Sequence, residues 1–113
     1  MSNKWLHVCA ANDLVSNSGV CALIENRQVA LFAIGNNDRA RVYAVGNWDP
    51  LGKANVMYRG LLGSVDEKVV VASPLYKQRY CLKSGECLDD PSVSLLVFET
   101  RIVGQDVEIK VAV

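Results

Sequence analysis

Apolar and polar residues alternate in short runs along this chain, and apolar residues seldom recur at helical spacing. Near the end, Val107, Ile109, Val111 and Val113 alternate with mostly polar residues, which predicts a strand with one buried face. The segment Lys68–Ser73 is almost continuously apolar, which predicts a strand covered on both faces. The pattern therefore favours an all-β domain.

Turn residues separate these runs at short intervals, which predicts a series of hairpins. Short helical starts are expected only at Asp13 and at Asp49-Pro50. The result is a predicted antiparallel sandwich or barrel of about ten short strands, with the long stretch 47–60 as the first place to look for function. The further predicted strands are Val20–Ile24, Gln28–Ile34, Arg41–Val45, Arg79–Leu82, Glu86–Leu88 and Ser94–Val103, with turns at Glu25–Arg27, Gly35–Asp38, Lys83–Gly85 and Gly104–Asp106.

Length and charge restrict the class of protein. The 113 residues predict one domain, 1–113, and 12 basic residues balance 12 acidic ones. A neutral chain lacks the positive charge that attracts nucleic acid or anionic lipid, and no apolar run is long enough to span a membrane. The apolar stretch near the start is too short for a signal peptide, so the four cysteines are expected to be reduced thiols of a cytoplasmic protein.

The residues alone suggest no catalytic or metal site. The single histidine, His7, excludes a site with two histidines, and the cysteines are not closely paired as zinc or iron–sulfur ligands usually are. Cys81 and Cys87 lie across a predicted hairpin, either as buried apolar side chains or as a transient disulfide. The basic and aromatic segment Tyr76–Tyr80 is typical of a protein interface.

Two segments together resemble the Rieske domain, in which two loops hold a [2Fe–2S] cluster. They are Asn47–Pro50 and Ser73–Gly85, with Pro91 beyond them. The resemblance implies a Rieske-like all-β fold with a smaller inserted loop subdomain at about residues 46–92.

The four positions that match the cluster ligands of that family hold other residues here, namely Asn47, Asp49, Ser73 and Tyr76. A Rieske centre needs two thiolates on one iron and two imidazoles on the other. Amide, carboxylate and hydroxyl oxygens do not replace soft thiolate ligands. We therefore expect neither a metal nor another cofactor on this chain.

A narrower resemblance covers nearly the whole chain. The blocks Gly19–Leu23, Asn47–Pro50, Arg59–Leu61, Val71–Leu75 and Lys77–Arg79 look like the small subunit of bacterial assimilatory NAD(P)H-dependent nitrite reductase. That resemblance implies a cytoplasmic, non-catalytic partner of a large subunit. In that family the large subunit carries siroheme, an iron–sulfur cluster, FAD and the NAD(P)H site, and reduces nitrite to ammonium.

On this interpretation the two loops dock on the large subunit. Trp48 and Tyr76 are the expected apolar anchors, and Lys77, Gln78 and Arg79 the expected hydrogen-bond donors at the tip of the second loop. Two other functions remain open from the residues. One is electron transfer through an unorthodox [2Fe–2S] cluster, and the other is binding of a small ligand between the loops.

Overall fold

The fold consists of short antiparallel strands in four sheets. A computed structural model describes residues 3–35 and 41–112, and it confirms the all-β class. The part of the predicted turn Gly35–Asp38 after Gly35 lies outside the described residues, as does Val113. The described strands are β1 (Asn3–Ala10), β2 (Ser18–Ile24), β3 (Arg27–Ile34), β4 (Arg41–Gly46), β5 (Trp48–Asp49), β6 (Ala54–Asn55), β7 (Leu61–Val65), β8 (Lys68–Ala72), β9 (Arg79–Cys81), β10 (Val97–Phe98), β11 (Thr100–Val103) and β12 (Asp106–Ala112).

The central sheet has the order β10-β4-β3-β2. Its β2–β3 hairpin confirms the predicted one and turns on Glu25 and Asn26, whose φ angles are 48° and 66°. Two successive residues with positive φ match the right-handed twist of the paired strands, which is why such short connections are favoured.

Both faces of the central sheet are buried. Successive side chains of β3 point to opposite faces, and each face packs into an apolar cluster. Ala30 and Phe32 pack into one apolar cluster with residues from the second half of the chain. Val29 and Leu31 point to the opposite face and pack against β12. A strand buried on both faces needs apolar residues at successive positions, which explains the continuous run in this part of the sequence.

A second sheet of order β1-β12-β11 covers one face of the central sheet. In β12, Val107, Ile109 and Val111 are buried, as their alternation with Glu108 and Lys110 predicts. The chain turns into β12 through Gly104, whose φ of 63° suits glycine.

The chain between β4 and β10 forms an excursion from the central sheet. These two strands pair with each other through Val45 and Val97, so residues 47–96 leave one strand and return beside it. Within this stretch β5 pairs with β6, and β7-β8-β9 form a three-stranded sheet. The strand β8 confirms the strand predicted from the apolar run. The sequence does not predict β7, because Gly60 and Gly63 interrupt its apolar pattern.

The described part of the chain contains only short helical turns. A 3₁₀ turn spans Ala11–Asp13, so Asp13 ends this turn and does not begin one, and a second spans Met57–Arg59. Asp49 caps the turn at Asp49-Pro50 as expected, but this turn does not continue as a helix. Among the described residues no helix has the length and apolar character needed to cross a lipid bilayer.

The predicted hairpin around Lys83–Gly85 forms, and it separates two of the cysteines. Tyr80 lies opposite Cys87, and the Cys81 backbone pairs with Glu86. Directly opposite residues of a hairpin point to the same face, and successive residues of a strand point to opposite faces. Cys87 therefore shares a face with Tyr80, and Cys81 points to the other face. Cys81 and Cys87 are both buried free thiols on opposite faces of the hairpin, which argues against a disulfide between them.

Candidate functional site

The first loop is organised by the carboxylate of Asp49. Its Oδ1 atom accepts hydrogen bonds from the backbone N–H of Leu51 at 2.9 Å and of Gly52 at 3.0 Å. Its backbone carbonyl accepts a third, from the Lys53 N–H at 2.7 Å. A short acidic side chain that bonds to the backbone two and three residues ahead stabilises a tight turn, so the sequence Asp-Pro-Leu-Gly folds locally.

The second loop closes through its own backbone. The Ser73 N–H donates to the Gln78 carbonyl at 2.9 Å, and the Lys77 N–H donates to the Ser73 carbonyl at 3.0 Å. Lys77 has a φ of 63°, the left-handed conformation that reverses the chain. The Ser73 hydroxyl also accepts a hydrogen bond from the Leu75 N–H at 3.2 Å.

Buried polar side chains join the two loops. The Ser73 hydroxyl donates to Asp49 Oδ2, while the Gln78 amide donates to Asp49 Oδ1 at 2.8 Å and to the Tyr80 hydroxyl at 3.0 Å. The Tyr80 hydroxyl lies 3.4 Å from Asp49 Oδ1. These four side chains, which we call the Asp49 network, are at most 5% exposed. Within the part of the chain that the structure describes, Gln78 Oε1 is the only buried side-chain oxygen or nitrogen without a hydrogen-bond partner.

The network holds a buried negative charge. Burial alone raises the pKa of Asp49, but the hydrogen bonds from Gly52, Ser73, Leu51 and Gln78 outweigh it, so the pKa falls below its ordinary value. Burial raises the pKa of Tyr80 to about 12. At neutral pH the carboxylate is therefore ionised and the phenol is protonated, which is the arrangement that lets Tyr80 donate to Asp49.

Asn47 attaches the first loop to the central sheet. Its Oδ1 atom accepts the Tyr58 N–H at 2.8 Å, and its amide donates to Gln28 Oε1 at 3.1 Å and to Cys21 Sγ at 3.5 Å. Asn47 is fully buried. The sequence does not mark Gln28 and Cys21 as partners of Asn47, because they lie far from it along the chain. Only the pairing of β2, β3 and β4 brings the three residues together.

The loops also touch through Gly52. A Cβ atom at this position would overlap Leu75 Cδ1 and would approach Asp49 Oδ2 to 2.8 Å. The first loop therefore needs glycine here for close contact with the second loop, not for an unusual φ angle.

The exposed surface of the two loops is apolar and basic. Trp48 is 50% exposed, Leu75 46% and Tyr76 70%. Lys53 and Lys77 are exposed beside them, and residues 47–65 and 73–80 contain no carboxylate other than the buried Asp49. We call these five exposed residues, Trp48, Lys53, Leu75, Tyr76 and Lys77, the loop tip.

Of the expected docking residues, Gln78 is buried and Arg79 is engaged in an ion pair. Gln78 is 5% exposed and belongs to the Asp49 network, so the expectation that it offers donors at the tip is corrected. The Arg79 guanidinium binds the Asp89 carboxylate in a bidentate ion pair. Its Nε donates to Oδ2 at 3.1 Å, and an Nη atom donates to Oδ1 at 2.7 Å. These hydrogen bonds lower the pKa of Asp89 to about 2. Arg79 thus supports the base of the second loop.

The residues of the site do not fit a Rieske centre. The positions that resemble its ligand positions offer an amide, a carboxylate, an aliphatic hydroxyl and a phenol, and two of them, Asp49 and Ser73, are bonded to each other. Tyr76 is largely exposed, whereas Asp49 and Ser73 are buried. His7 pairs with Asp106 between β1 and β12, and the described residues contain no group of three or more potential metal ligands.

Comparison with known proteins defines the class to which this fold and these loops belong. Residues 4–110 match the Rieske-like [2Fe–2S] domain family. A distant structural neighbour, the ferredoxin of carbazole 1,9a-dioxygenase from Nocardioides aromaticivorans, has a TM-score of 0.77 at 17% identity over 94% of this chain and 96% of that one. That neighbour supports the fold alone.

Similarity to individual proteins is more specific. The nitrite reductase (NADH) small subunit of Escherichia coli is 37% identical over 88% of this chain and 91% of its own length. The solved structure of the E. coli protein NirD has a TM-score of 0.88 at 34% identity, covering 99% of this chain and 100% of that one. The chain belongs to the family of nitrite reductase small subunits.

One relative carries the same domain inside a larger protein. The nitrite reductase [NAD(P)H] large subunit of Klebsiella oxytoca is 40% identical over 89% of this chain, but the match covers 10% of that protein. A domain of this kind therefore occurs both as a separate chain and as part of a large subunit.

Proposed function

We propose that this chain is the accessory subunit of a cytoplasmic, assimilatory NAD(P)H-dependent nitrite reductase, in which a separate large subunit reduces nitrite to ammonium. The observation that carries the proposal is the 37% identity to a small subunit over 91% of that protein's length. The fused Klebsiella relative supports the same pairing, because one polypeptide there holds both parts. Siroheme, an iron–sulfur cluster, FAD and NAD(P)H are expected on the large subunit.

On this proposal the chain contributes a surface and no redox centre. The Asp49 network replaces a cluster as the connection between the two loops, since its carboxylate accepts hydrogen bonds from both of them. Because the pKa of Asp49 is low, its carboxylate stays ionised near neutral pH, and a carboxylate does not carry electrons. The loops are held in place before binding, so that docking need not order them.

The loop tip is the proposed docking surface for the large subunit. Exposed Trp48 and Tyr76 have the large, rigid side chains that dominate protein interfaces when they become buried. Lys53 and Lys77 give this surface a positive charge, which fits an acidic patch on the partner. We therefore expect association to weaken as salt concentration rises.

Activity of the reconstituted enzyme tests the function. The large subunit is produced with and without this chain, and nitrite-dependent NADH oxidation is measured in both preparations. We expect full activity only when the chain is present. Equal activity without it would contradict the proposed accessory role.

Surface variants test the docking site separately. Tyr76→Ala and Lys77→Glu should leave the fold intact, because both side chains are exposed, and should weaken association with the large subunit by about tenfold or more. Lys4→Glu is the control, since Lys4 lies on β1 and outside the loops. Unchanged co-purification of a Tyr76→Ala/Lys77→Glu double variant would exclude the loop tip as the interface.

A further inference from the structure

A groove lies at the opposite end of the strands that carry the loops. Strand β4 leads from Arg41 in the groove to the first loop, and β8 leads from Lys68 in the groove to the second. Strand β9 then returns from the second loop to Cys81, which also lines the groove. The cavity has a volume of about 630 Å³, within the range of small-molecule sites.

Basic side chains from three separate elements meet in this groove. Arg41 comes from the start of β4, Lys68 from the start of β8, and Lys83 from the turn after β9. Glu67 and Glu86 line it as well, yet among the described residues none of the three cations forms an ion pair with a carboxylate. Three cations against two carboxylates leave an excess of positive charge among the described residues that line the groove.

Cys81 forms the floor of the groove, and nearby hydrogen-bond donors and charges lower the pKa of its thiol. Burial raises the pKa of the Cys81 thiol, but hydrogen bonds from the Ser84 hydroxyl and from the backbone N–H groups of Ser84 and Lys83 outweigh it. The charge of Lys68 acts in the same direction, so the pKa falls below its ordinary value. The environment at the floor therefore favours negative charge.

We propose that this groove binds the phosphate groups of a small molecule. A phosphate group presents several oxygens, and cations that approach from different elements can bind them at the same time. Tyr43 and Val69 line the remaining wall and offer apolar surface to the rest of the ligand. The site is separate from the loop tip and does not depend on the docking proposal.

Titration of the full chain with pyrophosphate, at constant ionic strength, tests the site. We expect saturable binding with amide chemical-shift changes concentrated at Lys68, Lys83 and Ser84. Lys68→Gln and Lys83→Gln should each weaken binding by about tenfold, because each removes one charge-assisted contact from an exposed position that the fold does not need. Inorganic phosphate and ADP are compared in the same way, and tighter binding of ADP than of pyrophosphate would identify a nucleotide ligand.

The control is a double variant that removes two positive charges elsewhere, one more than either groove variant. Lys53→Gln/Lys77→Gln changes only the loop tip and should leave pyrophosphate affinity unchanged. The proposal is overturned if none of the three probes binds saturably. It is also overturned if the control weakens binding as much as the groove variants, because that result would indicate general attraction of anions to a basic surface.

Discussion

The central sheet and the loop end of this domain are held together in different ways. Phe32 and Val45 of the sheet are buried in a continuous apolar cluster, where packing and the removal of apolar surface from water stabilise the fold. At the loop end Asp49 and Ser73 are equally buried, but hydrogen bonds to an ionised carboxylate connect the chain. The difference teaches that buried polar side chains connect two loops whose layout resembles that of a metal-binding domain.

Removal of the Asp49 carboxylate should destabilise the loop end more than any other change considered below. Asp49→Ala leaves buried donors of Gln78, Ser73 and the first loop without an acceptor, so we expect the free energy of unfolding to fall by about 3 kcal/mol or more. Urea denaturation measures this change. Glu86→Ala, which removes an exposed carboxylate, is the control and should have little effect. Similar losses in the two variants would show that the network does not stabilise the loops.

Substitution of Gly52, where the two loops are in contact, should destabilise the fold less than removal of the Asp49 carboxylate. In Gly52→Ala the new methyl group must displace Leu75 Cδ1 and Asp49 Oδ2, which should lower the free energy of unfolding by about 1–3 kcal/mol. Gly63→Ala is the matched change in β7, where the nearest atom to the new methyl group lies 3.9 Å away. We expect this control to be neutral or slightly stabilising. If the two variants have the same midpoint in thermal unfolding, the loops do not pack as described.

The pH dependence of stability distinguishes the two regions further. Asp49 has a lower pKa in the folded protein than in the unfolded chain, so its contribution is present above the unfolded pKa of about 4 and is lost as the pH falls below it. Asp49→Asn should therefore lose less stability than the parent protein between neutral and acidic pH. Urea midpoints across this range measure the difference, and parallel curves would contradict the assignment.

The exposed residues of the loop tip should affect stability least. Tyr76 is 70% exposed, so Tyr76→Ala should change the free energy of unfolding by no more than about 0.5 kcal/mol. Thermal unfolding of the isolated chain measures it. A larger loss would mean that Tyr76 stabilises the loop and is not free to bind a partner.

Sequence reasoning could predict the sheet better than the loop end, for a physical reason. Alternation in β12 and the turn between β2 and β3 are local patterns, and the structure confirms both. The partners of Asn47 and Asp49 come from β2, β3 and the second loop, and no local pattern marks them. The mistaken placement of Gln78 has the same origin, because its neighbours Lys77 and Arg79 suggest an exposed segment.

Iron content and the visible spectrum of freshly purified protein test most directly whether hydrogen bonds, and not a metal centre, connect the loops. We predict an iron-free, colourless protein whose thermal unfolding is unchanged by a strong chelator. Stoichiometric iron with absorption between about 400 and 600 nm, together with a lower melting temperature after its removal, would contradict the account.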